Sequence, residues 1–338
     1  MKSALADLYR AHVAERQRTT ERALAETGFD RLLIHSGFPY TYFADDNDAP
    51  FHPTPHFAHW APVEGPGHVL EVRPGKKPRL VRCEPRDYWY APPQPAPDFV
   101  AAVMEIVEVE TPEAVRAALG TDGARTAFVG ESAAEAAALG VPAAGVNPKA
   151  LVARLDWERS YKSPYEVETL AEATAPAARG FRAAEEAFRD GATEMEVHHA
   201  FLAAAGVMEE KLPYPTIIGF DERSATLHYH GKRGTWAAPG KTMLVDAGVS
   251  VRGYGCDITR TFAGEECDPL FRDLIAGMEA IEKELAAAPK PGTKYLDLHV
   301  RAHHLVGDLL HRAGVLKVAG AAAVEKGLTR PFFPHGLG

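Results

Sequence analysis

Leu244-Val245-Asp246-Ala247-Gly248-Val249-Ser250-Val251-Arg252-Gly253-Tyr254-Gly255-Cys256-Asp257-Ile258-Thr259-Arg260-Thr261-Phe262 is the stretch on which the reading of this chain turns. Val, Ile, Thr and Tyr with glycines between them suit a β-hairpin. A two-residue turn at Val251-Arg252 would set Asp246 directly opposite Asp257, with Cβ atoms about 5 Å apart. Leu244 and Thr259 would share that face. Two opposed carboxylates among Val245, Ala247 and Ile258 repel each other, and burying them without a partner is costly. They can share a proton, pair with Arg or Lys, or bind a cation. Arg252 and Arg260 have the wrong parity to reach that face. A divalent cation is the simplest partner, and two cations about 3.5–4 Å apart would use all four oxygens. The alternative is a solvent-facing hairpin with two ordinary aspartates.

Working outward, Leu227-His228-Tyr229-His230-Gly231 precedes the hairpin. If extended, it places His228 and His230 on one strand face. His335 sits in Pro334-His335-Gly336-Leu337-Gly338, a setting that lets backbone approach a ligand closely. Each is weak evidence alone. His198-His199 and His303-His304 fall on helical stretches, where adjacent residues point to different faces, so they read as surface or packing histidines. Upstream, Ser163-Pro164-Tyr165-Glu166 combines an N-cap Ser, a Pro at the first helical position and a Glu able to cap the Ser in return. That helix should run to Asp190-Gly191, with a kink or break at Pro176 or Gly180. A second should cover residues 193–208, and two more about 269–288 and 294–313. Residues 213–219 read as a strand.

The first half alternates. A helix over residues 4–26 precedes strands at 31–35, 68–72, 79–83 and 126–130 and helices at 112–119 and 131–138. Residues 36–66 and 92–97 are rich in proline, the former also in aromatics, and read as irregular. This is an α/β pattern ending near residue 155. At 338 residues the chain is long enough for two domains, taken as 1–155 and 156–338. The formal charge of −9 disfavours a nucleic-acid partner. Three cysteines, Cys83, Cys256 and Cys267, without a CxxC pair argue against a disulfide framework and a thiolate zinc site. Asp7 and Arg10 interrupt any apolar signal segment, and no apolar run nears the about 18 residues that span a bilayer. The expectation is a cytoplasmic protein with no membrane partner.

Taken together, Asp246-Ala247-Gly248, Cys256-Asp257-Ile258-Thr259-Arg260-Thr261, Leu227-His228-Tyr229 and Pro334-His335-Gly336-Leu337-Gly338 resemble the motifs of the pita-bread metallopeptidases, which include methionine aminopeptidase, aminopeptidase P and prolidase. Arg159, Lys162 and Glu166 fit the start of that catalytic domain. His35-Ser36-Gly37, Phe43-Ala44-Asp45-Asp46 and Phe57-Ala58-His59-Trp60-Ala61-Pro62 resemble the bacterial prolidase branch, which includes the organophosphorus acid anhydrolases. The resemblance covers nearly the whole chain. It implies a creatinase-like N-terminal domain, a pita-bread catalytic domain and hydrolysis of Xaa-Pro dipeptides by a hydroxide bridging two divalent ions.

The family's metal ligands are two Asp, one His and two Glu. Asp246 and Asp257 match the two Asp. The histidine ligand would follow Gly338 and both glutamates would lie further on, so the resemblance implies a longer protein. His228 would contact substrate and stabilise developing charge. Tyr214, Tyr295 and His335 would line the substrate pocket. Asp46, more than Asp45, would reach a neighbour's site in a homodimer. Each of these has a plainer reading, packing for the tyrosines and a turn for the aspartates. A hard oxygen-rich site suits Mn²⁺, with Zn²⁺ or Co²⁺ as alternatives. An aminopeptidase P-type enzyme and a non-catalytic binding protein are the competing readings. Creatine amidinohydrolase, which has the fold without metals, is disfavoured by the two intact aspartates.

Overall fold

Helix α1 (Lys2–Thr27) hands over to strand β1 (Arg31–His35), and the first sheet is built around that strand. The computed structural model describes residues 2–86, 88, 89, 94–121, 123–235 and 240–337. Three further strands follow: β2 (Val69–Val72), β3 (Arg79–Cys83) and β4 (Glu105–Val109). With β5 (Thr126–Val129) they form a sheet of order β4-β3-β2-β1-β5. The β1–β2 and β2–β3 pairs are antiparallel, and β1–β5 and β3–β4 are parallel. The helices of this half are α2 (Pro55–Ala58), α3 (Asp98–Ala101), α4 (Pro112–Leu119), α5 (Ala133–Ala138) and α6 (Lys149–Ser160).

Alternate residues of the central strands go to two cores. Leu32, Ile34, Leu70 and Leu80 pack with Tyr9, Val13 and Leu24 of α1 and Leu151 and Leu155 of α6. Leu33, Val69, Val81 and Phe128 pack with Val115 and Leu119 of α4 and Ala136 of α5. Cover on both faces explains why these strands read as short apolar runs. Strand β4 and helix α6 have no counterpart in the sequence expectations. β4 pairs only with β3 and keeps Glu105 and Glu108 exposed, as suits an edge.

Helix α7 (Pro164–Arg189) starts at the expected cap: the Ser163 amide donates to Glu166 at 2.8 Å, and the Glu166 amide donates to the Ser163 hydroxyl at 3.3 Å. It is not broken at Pro176 or Gly180. Pro176 is accommodated within the helix. Gly180 serves packing, since a Cβ there would lie 2.6 Å from the Phe201 ring. Helix α8 (Glu194–Ala205) carries a second capping box, between Thr193 and Glu196.

The chain divides into two units. One takes in residues up to Ala177 with Val207–Tyr214 and Gly248–Cys256; the other comprises Ala178–Gly206, Pro215–Ala247 and Asp257–Gly338. The remaining strands are β6 (Ile217–Phe220), β7 (Thr242–Ala247), β8 (Ser250–Val251), β9 (Tyr254–Gly255) and β10 (Ile258–Ala263). In the second unit β10, β7 and β6 form an antiparallel sheet in that order. Helices α9 (Pro269–Ala287) and α10 (Tyr295–Arg312) pack through Ile281, Val306, Leu309 and Leu310, and α11 (Gly320–Glu325) follows. Cys83, Cys256 and Cys267 are all buried and all free thiols. Among the described residues no helix is long and apolar enough to cross a membrane.

Candidate active site

Strand β7 alternates cleanly. Met243, Val245 and Ala247 are buried, while Thr242, Leu244 and Asp246 take the other, half-buried face. The hairpin exists, but its two-residue turn is Arg252-Gly253, not Val251-Arg252. Both turn residues have positive φ, +49° and +83°. The register along the arms moves accordingly, and Asp246 faces Thr259 on one side and Ile217 of β6 on the other. Asp257 precedes Thr259 by two residues. The two aspartates are therefore diagonal neighbours rather than directly opposed, a spacing of about 7–8 Å or somewhat less between Cβ atoms. Nor is the site a dry apolar face, because Asp257 is exposed and lies just outside β10.

One atom stands out on this face. Asp246 Oδ1 is buried and has no hydrogen-bond partner. A buried carboxylate oxygen without a donor is expensive, so this one calls for a cation. Diagonal aspartates with a free inward-turned oxygen fit a hard divalent ion. Asp246 and Asp257 could hold it.

His228 lies in a turn rather than on a strand, exposed, with its ring stacked on His230 at 6.3 Å. What fixes this turn is a residue that the sequence did not single out. Glu194, fully buried at the start of α8, accepts from the Phe220 amide at 2.9 Å, Arg223 Nε at 2.7 Å, the Tyr229 hydroxyl at 2.9 Å and the Arg233 amide at 2.8 Å. Burial alone would raise its pKa. The Arg233 amide, the Arg223 guanidinium, the Phe220 amide and the Tyr229 hydroxyl outweigh that and hold it below the usual carboxylate value.

Tyr295 opens α10, and its hydroxyl donates to the Leu337 carbonyl at 2.5 Å. This ties it to the turn carrying His335, which is exposed. Gly336 has φ +79°, and a Cβ there would lie 2.5 Å from the His299 ring. The sequence pattern at this turn thus reflects a real steric demand, although Gly338 lies outside the described residues. Tyr214 and Asp46 belong to the first unit. Tyr214 is half-buried and Asp46 exposed. Asp45 Oδ1 accepts from the amides of Asp46 and Asn47, so of the two aspartates it is Asp45 that is committed to the turn.

The first unit also contains a buried cluster that sequence reasoning missed: His12, His59 and Glu166, whose ligand-type atoms lie within 4.8 Å of one another. His12 Nε2 lies 2.7 Å from the His59 carbonyl and so carries the proton there, which leaves Nδ1 to accept from the Ser163 hydroxyl at 2.8 Å. His59 Nε2, buried and without a hydrogen bond, lies 3.4 Å from Glu166 Oε1, which accepts from the Tyr254 hydroxyl at 3.1 Å. Burial lowers both imidazoles, His59 to about 4, with Glu166 opposing the shift only in part. Burial also acts to raise Glu166, but His59, the Ser163 amide and His12 outweigh it and bring the carboxyl down to about 2. No local pattern brings these three residues together; their sequence separation hides the cluster.

Two family profiles match the chain, "Xaa-Pro dipeptidase, N-terminal domain" over residues 7–157 and "Metallopeptidase family M24" over residues 168–338. The chain is 36% identical over 337 residues to a protein named Xaa-Pro dipeptidase from Pseudoalteromonas atlantica, covering 99% of this chain and 76% of that one. It is 38% identical over 334 residues to one of the same name from Stenotrophomonas maltophilia strain K279a, covering 98% and 74%. Among solved structures, aminopeptidase P from E. coli with the inhibitor Pro-Leu superimposes with a TM-score of 0.73 at 20% identity, covering 97% of this chain and 79% of that one. At that identity the likeness is one of fold.

Proposed function

This chain belongs to metallopeptidase family M24, and from that premise we propose that it hydrolyses Xaa-Pro dipeptides with two divalent ions. The observation that carries the reading is the orphaned Asp246 Oδ1 on the face shared with Asp257. Those two carboxylates would hold the ions. When bound, such ions supply a water acidic enough to attack at neutral pH and polarise the scissile carbonyl. Oxygen ligands favour Mn²⁺ over softer ions.

The protein's own side chains do the rest. An Xaa-Pro bond has no amide hydrogen, so recognition must read the pyrrolidine ring and the free carboxylate. Tyr214, Tyr295 and His335 are assigned to that pocket. His228, exposed on its turn, is assigned to the oxygen that gains charge, where its imidazole N–H donates. Asp46 is assigned to the neighbouring subunit's site in a homodimer, consistent with Asp45 rather than Asp46 holding the loop. The cytoplasm is the proposed compartment.

The fold likeness to aminopeptidase P supports a second reading, an enzyme that removes the residue before proline from longer peptides. The dipeptidase reading is favoured because the relatives of that name match more closely. The test is hydrolysis of an Xaa-Pro dipeptide against the Xaa-Pro-Yaa tripeptide, with and without chelator. Chelation should abolish cleavage and Mn²⁺ restore it. Comparable kcat/KM on both peptides would favour the second reading, and full activity without metal would sink both.

A further inference from the structure

Glu194 is a buried charge that the proposed chemistry does not use. Its four hydrogen bonds fall into two pairs. Oε1 takes the Phe220 amide and Arg223 Nε, on the segment that ends β6. Oε2 takes the Tyr229 hydroxyl and the Arg233 amide, on the segment that carries His228 and His230. The same segment is fastened again where the Met195 amide donates to the Arg233 carbonyl at 3.2 Å. It is also folded tightly on itself, since a Cβ at Gly231 would lie 2.7 Å from the Tyr229 ring. Tyr229 is the residue next to His228. An exposed turn held at both ends by one buried carboxylate on a helix is a rigid mount for a side chain that must not drift.

We propose that Glu194 is a positioning residue, whose Oε2 holds the 228–233 turn so that His228 presents its imidazole to the substrate. The inference rests on the assignment of His228 above. Glu194→Gln tests it with little change of volume. Glutamine has one acceptor oxygen, and the Arg223 guanidinium and Phe220 amide will keep it. Its NH₂ then faces the Arg233 N–H, donor against donor, and the clamp opens on the His228 side.

The experiment compares E194Q, E194D, H228A and the E194Q/H228A double variant of the metal-loaded enzyme on an Xaa-Pro dipeptide. E194Q should lower kcat about tenfold or more, since small misplacements of a catalytic group cost up to about a hundredfold, with KM and bound metal nearly unchanged. E194D, which keeps the charge, should recover part of the loss. The double variant should be no slower than H228A, because a displaced residue that is absent has nothing left to lose. Fully additive losses, loss of metal in E194Q, or unchanged kcat in E194Q with an inactive H228A would overturn the proposal. If H228A kept full kcat, the assignment of His228 would fall. Hydrogen exchange then decides the clamp separately: amides of 228–233 should exchange about tenfold faster or more in E194Q, and unchanged exchange would overturn it.

Discussion

Two groups of metal-capable side chains among the described residues differ in how the protein satisfies their carboxylate oxygens. In the first unit, His12, His59 and Glu166 are gathered within 4.8 Å and buried. Both Glu166 oxygens accept hydrogen bonds, from the Ser163 amide and the Tyr254 hydroxyl, and both His12 nitrogens are bonded, to the Ser163 hydroxyl and the His59 carbonyl; the one orphan is a nitrogen, His59 Nε2, 3.4 Å from Glu166 Oε1. In the second unit, Asp246 and Asp257 are only diagonal neighbours, and one of them is exposed, yet Asp246 Oδ1 is buried with no donor. Crowding of ligand-type residues is thus a poor guide to a metal site. An acceptor that the protein leaves unsatisfied is a better one, because the missing stabilisation must come from outside the chain.

The largest expected contrast is chemical. Asp246→Asn or Asp257→Asn should lower kcat/KM about a thousandfold, several kcal/mol of lost transition-state stabilisation, and release metal. Glu166→Gln, the same change of charge, should leave metal content unaltered. Elemental analysis beside dipeptide kinetics checks both. Metal loss on Glu166→Gln would erase the distinction.

The second contrast is with acid. The folded pKa values of His12, His59 and Glu166 all lie below their ordinary values, so the unfolded chain takes up protons first. Stability from this cluster is complete at neutral pH. It falls as pH drops below about 6.5 toward about 4 for His59, and further toward about 2 for Glu166. The His59 shift corresponds to about 3 kcal/mol. Urea midpoints followed from pH 7 to 4 should decline, and His59→Gln should flatten the decline.

Smaller still is the direct cost of Glu166→Gln at pH 7, about 2 kcal/mol, because a charge-assisted hydrogen bond is lost in a buried setting. The two capping boxes provide the finest comparison. Thr193 caps α8 at the surface, and Thr193→Ala should cost about 1 kcal/mol. Ser163 caps α7 and also donates to His12, so Ser163→Ala should cost about twice as much. Equal losses in thermal or urea unfolding would show that His12 draws nothing from the cap.

The cap at Ser163 and Glu166 was legible because its signal is local, three residues apart. So were most helices and the central strands. The hairpin was legible as a hairpin but not in register. Arg252 takes a left-handed conformation, and its guanidinium lies 5.9 Å from the Tyr165 ring centre and bonds to Glu172, contacts with residues far upstream. His228 was singled out on a presumed strand, whereas the turn that carries it is shaped by Glu194, a distant glutamate with no pattern of its own. β4 was missed because Glu105 and Glu108, two of its five residues, dilute an edge strand's apolar signal and break its period-2 pattern. His12 and His59 meet Glu166 only through tertiary folding, which no spacing rule anticipates.

The three buried thiols divide between the units, Cys83 and Cys256 in the first and Cys267 in the second. Burial raises the Cys83 thiol pKa, with nearby Glu84 adding to the effect, and the Cys256 Sγ is engaged by the Val249 amide and the Ala173 carbonyl. A disulfide reagent in solution therefore meets a reactive thiolate only when the surrounding fold opens. Single-cysteine variants would act as separate clocks, one for each half of the chain, their labelling rates timing how often that half breathes. On acidification to pH 5 followed by a brief return to neutral, the clock at Cys83 should have advanced before the one at Cys267.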